Sequence, residues 1–415
     1  MTSSLSRIGS ANTYDNAVRN ISMRQSALSN LQENLTSGKR VVRASDDPTS
    51  AANAERALNR ISRIATDQRA LEAQRNAIAM AESTLGDVTN SLQRFRELVV
   101  SAGNGVHSNA ERKSIAIELQ GLRDQIFASA NQKDTNGLPL FSALGSALAP
   151  FVGPQATPPD YTFNGLPGQA ASSDVAIPFT LDGDAAFMHQ PARDGVYNTS
   201  VSTIPSGRTL TTDGVTVTNA SAVTGASYLI AITNVDTTTP GTTVVSYNVT
   251  TTPSGSTAAQ VAPGYPSAQS ASIAVAGMAG LALTFNGTPA VGDTLTVAPS
   301  PSIFSVLDNA IKNIKEAPNN NGATQAVGQA LHNIDIGMSR ISAVRGQAGD
   351  LLNRADRITG NQESRNIQLE ADRSRAEDLD MVKGISDFNN QQTGYSAALQ
   401  TYAKVQQLSL FNFIG

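Results

Sequence analysis

Apolar residues recur every seven positions over several long stretches of the chain. Tyr14, Ile21, Leu28 and Leu35 form the first series, with Val18 and Leu31 on the same side. Ile64, Leu71, Ile78, Leu85, Leu92 and Val99 form a second, and Ala81, Val88 and Phe95 join it at a three-residue offset. Later, Val327, Leu331, Ile334, Met338, Ile341, Ala348, Leu352 and Ala355 share one face. Near the end, Met381, Phe388, Tyr395 and Tyr402 are again seven apart, with Ile385 and Leu399 between them. A seven-residue step returns to the same side of an α-helix after two turns, so these series predict long amphipathic helices. The second would be ~80 Å long from Thr49 to Ala102, at about 1.5 Å per residue.

Local signals mark the helix ends. Asp47 is placed to cap the second helix, and Pro48 suits its first turn. Gly103 and Gly105 close it. Ser108 and Glu111 have the spacing of a capping box, opening a third helix over 108–133 with Ile115, Leu119, Leu122 and Ile126 on one stripe. Asn136–Gly137 is a turn signal that stops it. Ile303 to Lys315 reads as a short helix, followed by Pro318 and an Asn-rich turn before the long helix of 324–372.

Between residues 141 and 302 the pattern changes. This stretch holds 15 of the 18 prolines, no Lys and no Glu, and its only charges are eight Asp with Arg193 and Arg208. Thr209 to Thr218 alternates around Asp213–Gly214, a hairpin signal. Ser227 to Thr233 and Val244 to Thr250 flank Thr239–Pro240–Gly241. Ala274 to Phe285 and Thr294 to Val297 are further strand candidates. The expected fold is therefore mainly α with a β-rich insert. A long antiparallel helical bundle comes from 41–145 and 303–375, and 146–302 makes an antiparallel β-sandwich-like outer domain. The first helix, within 1–40, and the last, within 376–415, make a coiled-coil pair.

Composition excludes more than it proposes. The net charge of −4 and charged content of 15% leave no general basic footprint for nucleic acid and no polybasic membrane signal. With no cysteine there is no disulfide framework, thiolate metal site or cysteine nucleophile. Met1 to Ser10 lacks the apolar core of a signal peptide, and no run approaches the ~20 apolar residues of a membrane span. Export, if it occurs, is expected by a route that cleaves nothing.

No constellation for catalysis emerges, and no metal or cofactor is expected. His107, His189 and His332 lie in separate regions and read as exposed or turn histidines. Gly103–Asn104–Gly105 follows a helix rather than a strand, so it lacks the context of a nucleotide loop. Asp46–Asp47 precedes Pro48 and reads as helix capping. Glu377, Asp378 and Asp380 read as favourable charge at the start of the last helix. Arg56, Arg60, Arg63, Arg69 and Arg75 are interspersed with acids, as on a mixed solvated face. What stands out is the apolar character of both chain ends, continued by Leu408, Leu410 and Phe411. Burying one such side chain is worth roughly 1.5–3 kcal/mol, so an uncovered seam is costly. Either the two ends cover each other, or neighbouring copies complete the seam.

Two blocks of residues resemble a known family. Leu35–Thr36–Ser37–Gly38–Lys39–Arg40–Val41–Val42 with Ala44–Ser45–Asp46–Asp47–Pro48 is similar to the N-terminal signature of the flagellin superfamily. Arg375–Ala376–Glu377–Asp378–Leu379–Asp380–Met381 resembles its second block, as does the stretch from Gln391 through Tyr402 to Leu408–Ser409–Leu410–Phe411. The Ser-Asp-Asp-Pro form and the Leu-Ser-Leu-Phe ending favour the hook–filament junction branch over filament flagellin. Asn136–Gly137–Leu138–Pro139–Leu140–Phe141 departs from the family's usual Asn-Gly-x-Tyr-x-Phe.

The resemblance implies a non-enzymatic, self-assembling subunit of the bacterial flagellum, exported unfolded through the flagellar type III apparatus. Its implied partners are copies of itself, the first hook-associated protein on the hook side, and flagellin on the filament side. An export chaperone would hold the segment around Met381 to Phe411. The implied assembly interface comprises Tyr14, Val18, Ile21, Leu28, Leu31, Leu35, Met381, Ile385, Phe388, Tyr395, Leu399, Tyr402, Leu408, Leu410 and Phe411. Ser37, Gly38, Asp46, Asp47 and Pro48 form the motif loop. Filament flagellin is the alternative, and an adhesin or glycan-binding role of the insert is a more distant one.

Overall fold

The computed structural model describes the backbone of residues 3–414 except 158, 207 and 318, and the side chains of residues 14–404 with the same exceptions. The helices are α1 (Ser3–Ser37), α2 (Pro48–Ala102), α3 (Asn109–Ala130), α4 (Gly183–Phe187), α5 (Pro191–Asp194), α6 (Ile303–Glu316), α7 (Asn320–Glu377) and α8 (Met381–Ile414). The strands are β1 (Phe151–Val152), β2 (Thr162–Phe163), β3 (Tyr197–Ser202), β4 (Leu210–Thr212), β5 (Thr216–Val217), β6 (Ser227–Asp236), β7 (Thr242–Thr252), β8 (Ser256–Val261), β9 (Tyr265–Pro266), β10 (Ala271–Ala274), β11 (Leu281–Ala282), β12 (Thr284–Gly287) and β13 (Thr294–Pro299). Two compact units result: Met1–Arg69 with Thr359–Gly415, and Ala70–Ile358. Helices α2 and α7 contribute to both.

In the larger unit, the heptad positions of α2 become core. Ile78, Leu85, Leu92, Phe95 and Val99 are buried, as are Leu119 and Ile126 of α3 and Ile334, Ile341, Ala348 and Ala355 of α7. Helices α2 and α7 run antiparallel: Arg75 pairs with Asp356 at 3.1 Å, Glu82 with Arg345 at 2.7 Å, and Arg96 with Asp335 at 2.9 Å. The capping box at Ser108 and Glu111 is formed in full. Helix α3 ends at Ala130, earlier than Asn136–Gly137. The Asn131 side chain leaves the helix to bond both the N–H and the carbonyl of Phe151, at 3.0 and 3.1 Å. Asn320 and Asn321, expected in a turn, already belong to the first turn of α7.

The β-rich insert divides between two cores. Phe304 of α6 lies at the centre of an aromatic cluster, with ring centroids of Phe127, Phe151, Tyr161 and Phe187 at 5.2, 5.6, 5.3 and 5.7 Å. Thus Phe141, Phe151, Tyr161, Leu181 and Phe187 join the helical core, and the boundary expected at 146 runs through packed side chains. Arg123 and Tyr161 both bond Asp308, tying this segment to α3 and α6.

From β3 onward a second core forms between sheets. One sheet has the order β3-β13-β6-β7-β8, with β9 also on β7. The other elements are β10-β12-β4 and β11-β5, and every pairing is antiparallel. Alternate residues point inward: Tyr228, Ile230 and Ile232 of β6 and Val245, Tyr247 and Val249 of β7 are buried with Ile273, Leu281 and Phe285 opposite. The β6–β7 hairpin turns at Gly241, whose φ of 78° is the left-handed conformation that glycine tolerates.

One expected hairpin is absent. β4 and β5 do not pair with each other across Asp213–Gly214. Instead β4 pairs with β12 and β5 with β11, so 210–217 runs as one extended segment alongside 281–287 with a one-residue slip between. Asp213–Gly214 lies at that slip without a turn, and the Asp213 N–H donates to the Thr284 carbonyl at 2.9 Å. Gly214 lies where a Cβ would meet the His332 ring at 2.7 Å, which explains the glycine without a turn. The candidate strand Ala274 to Phe285 is likewise broken, by left-handed Gly277 and Gly280 between β10 and β11.

Candidate assembly site at the chain ends

In the smaller unit, α1 and α8 lie side by side and antiparallel. Tyr14 and Tyr402 have ring centroids 5.7 Å apart. Arg24 lies against Gly394, and Leu35 against Gly384. Gly384 is buried, and a Cβ there would meet Leu379 at 2.9 Å and Leu35 at 3.2 Å. Both glycines sit inside a helix, where glycine costs roughly 0.5–1 kcal/mol relative to alanine. Close approach of the partner helix offsets that cost.

The motif loop is the joint of this pair. Gly38, with φ 70°, turns the chain out of α1, and its carbonyl accepts the Leu379 N–H at 2.9 Å. The Arg40 and Val41 N–H groups both donate to the Glu377 carbonyl, at 2.7 and 3.3 Å. The Arg40 guanidinium reaches Asp47 at 3.2 Å, Ser50 at 3.1 Å and the Ala376 carbonyl at 2.9 Å. Asp46 accepts the Val42 and Arg43 N–H groups, which fixes the loop between α1 and α2. Asp47 caps α2, accepting the Ser50 N–H at 3.1 Å. Bonds from the Ser50 hydroxyl and amide, then the Thr49 hydroxyl, hold its carboxyl well below the usual carboxylate range. Ser37 accepts from Lys39 N–H, and Pro48 is the first residue of α2.

Three acids read as one group have separate roles. Asp380 caps α8 by accepting the Val382 and Lys383 N–H groups at 3.1 Å, and Asp378 accepts from Ser374. Glu377 instead ends α7. A negative charge there opposes the helix dipole, and the ion pair with Lys39 compensates it. Lys39 and Arg40 stood within the N-terminal signature with no role assigned, and Gly384 was not singled out. Its place as a glycine inside a helix was the available signal for Gly384.

The seam itself lacks a core. Tyr14 is 49% exposed, Met381 45%, Ile385 50% and Leu399 42%, and Val18 is also exposed. Ile21, Leu28, Leu31, Leu35, Phe388, Tyr395 and Tyr402 are half-buried. None of these twelve side chains is fully buried, whereas Ile78, Leu85, Leu92 and Val99, with the same spacing in α2, are 0% exposed. The side chains of Leu408, Leu410 and Phe411 lie outside the described residues.

Elsewhere the histidines remain apart. His332 bonds the Val215 carbonyl at 3.2 Å, and His107 is at the start of α3 beside Glu111. His189 is buried rather than exposed, at the point where the chain enters the β domain. Among the described residues, no group of three or more His, Asp or Glu is arranged to hold a metal ion, and no helix is long and apolar enough to cross a membrane.

Comparison with known proteins agrees with this geometry. Residues 8–145 match the bacterial flagellin N-terminal helical region, and residues 331–414 match the bacterial flagellin C-terminal helical region. Flagellar hook-associated protein 3 of Salmonella typhimurium is 36% identical over 148 residues, covering 35% of this chain and 46% of that protein. The flagellar filament 41 kDa core protein of Borreliella burgdorferi is 36% identical over 127 residues, 31% of this chain and 38% of its own. The chain thus spans less than half the length of these curated relatives. A crystal structure of flagellar hook-associated protein-3 from Legionella pneumophila superposes with a TM-score of 0.59 at 26% identity, covering 76% of this chain and 97% of that one. Both helical regions are present in the right order, together they take in more than half of the sequence, and the chain belongs to the bacterial flagellin family.

Proposed function

We propose that this protein is a structural, non-catalytic subunit of the bacterial flagellum that joins the hook to the flagellin filament. The observation that carries this reading is the uncovered seam of α1 and α8. A two-helix pair with no fully buried seam side chain gains little from intramolecular packing. Neighbouring copies, set side by side, supply the missing cover. The ends then order as they assemble, and burial of the seam offsets an ordering cost of ~2–5 kcal/mol.

The junction position rests on similarity to hook-associated protein 3 in sequence and in fold. Its partners in this account are copies of itself, the first hook-associated protein and flagellin. The chain reaches the cell exterior through the flagellar type III apparatus, with a chaperone on the segment around Met381 to Phe411. Filament flagellin is the second reading, supported by similarity to the Borreliella filament protein.

Substituting Phe388→Asp or Tyr395→Asp tests the seam. Each variant is expected to fold through residues 70–358 and yet fail to enter flagella. Normal incorporation of either variant would exclude the seam as the joint. Deleting the gene separates the two readings. A junction protein's loss releases intact flagellin into the medium, whereas a filament protein's loss removes the filament subunit itself.

A further inference from the structure

Two chain crossings form the root of the β domain. Residues 188–196 lead into β3, and residues 299–303 return from β13 to α6. Met188 bridges to Ser302, the His189 N–H donates to the Pro301 carbonyl at 2.8 Å, and the Ser300 N–H donates to the Val196 carbonyl at 3.0 Å. The imidazole of His189 lies inside this root, 6% exposed, and neither ring nitrogen has a hydrogen-bond partner. An imidazole so placed has nothing to stabilise an added proton by hydrogen bonding.

The charges around it are balanced. Arg193 bonds the Asp194 carboxylate at 2.9 Å and lies 3.6 Å from Asp184 of α4. Arg340 of α7 approaches Asp194 at 3.5 Å. Two guanidinium groups therefore face two carboxylates, with His189 neutral. Pro301, Ser300 and Ser302, on the returning crossing, add no charge.

Acid disturbs this balance at His189. Burial, with the positive charges of Arg193 and Arg340 in addition, lowers the His189 pKa to about 4 against the pull of Asp194. Burial raises the pKa of Asp184, so its protonation favours the closed root and works against opening. Burial opposes ionisation of Asp194 too, but bonds from Arg193 and the Gln190 amide keep its pKa low. As pH falls, His189 gains a positive charge beside Arg193 and Arg340. The cluster changes from neutral to a net excess of one positive charge, within a site that has little solvent.

We propose that His189 is an acid-operated latch: when it takes up a proton, the two crossings part and the β domain releases α7, while both cores remain folded. The contacts released are those from Gln325, Gln329 and Asn333 of α7 to the backbone and side chains of β3 and β4. The sign follows from linkage. A histidine with a lowered folded-state pKa binds its proton more readily once freed, so the closed root weakens as pH falls below about 6.5 toward 4.

Hydrogen exchange on the full chain at pH 7 and pH 4.5, corrected for intrinsic rates, tests the latch. Amides at His189 and Ser300 should exchange at least tenfold faster at pH 4.5, while those of Ile230 and Leu92 keep their protection. His189→Leu and His189→Gln should each abolish that acid step. The carbon-13 shift of the His189 ring in the unaltered protein gives a second readout, independent of whether a variant folds, and should show no titration near pH 6.5. Equal root protection at both pH values, an acid step that persists in a folded variant, root opening only together with both cores, or a ring titrating near 6.5 would each overturn the proposal.

Discussion

At the scale of the residue, local chemistry was the most readable layer. Asp47 and Ser108 were recognisable as caps because an N-cap needs only a side-chain oxygen at one position and free amides two or three residues on. Ser108→Ala removes half of a complete capping box and should cost about 1 kcal/mol, read from urea unfolding of the larger unit. Phe95→Ala leaves a void at a site that is 0% exposed, and about 3–5 kcal/mol is expected from the same measurement. For Asp47 the prediction is one of pH. Its folded-state pKa is depressed below 3.8, so its contribution is full above that value and is lost as pH falls further. Asp47→Asn, which cannot titrate, should flatten that part of the acid melting curve of the smaller unit. His189 was misread because a single histidine between Phe187–Met188 and Gln190–Pro191 shows no helical or strand period that would mark burial. Only the return of residues 299–303 across it removes the solvent.

Among elements, helices were legible and strand pairing was not. A seven-residue period is a property of one helix and survives any choice of partner. An alternating stretch such as Thr209 to Thr218 fixes only that the chain is extended, and Asp213–Gly214 can sit in extended chain as well as in a turn. Its partner at 281–287 is nearly seventy residues away, and no local rule reaches that far. The ends of elements were displaced for similar reasons. Helix α3 stops at Ala130 because Asn131 finds the backbone of Phe151, a contact absent from the local pattern. Gly384 offers a prediction at this scale. Gly384→Val would force Leu35 and Leu379 aside and separate α1 from α8, seen as a lower melting temperature of helical circular dichroism in the smaller unit. Gly360→Ala, in α7 where a Cβ meets nothing within 4 Å, should leave that temperature unchanged or slightly raised.

The whole molecule sets two similar patterns to different uses. The heptads of α2 from Ile78 to Val99 close within the chain, against α3, α6 and α7. The heptads of α1 and α8 do not, although their spacing is the same. Sequence therefore marked an apolar face on each end helix but not its cover, because periodicity defines a face and says nothing of what lies on it. The family assignment and the exposure of Tyr14, Met381, Ile385 and Leu399 together motivate a cover made of other copies. Hydrogen exchange of residues 14–37 and 381–404, compared between the free chain and isolated flagella, tests this most directly. The account predicts weak protection in the free chain and strong protection after assembly, with residues 78–99 protected in both. Equal, strong protection of both end segments in the free chain and in the flagellum would contradict it.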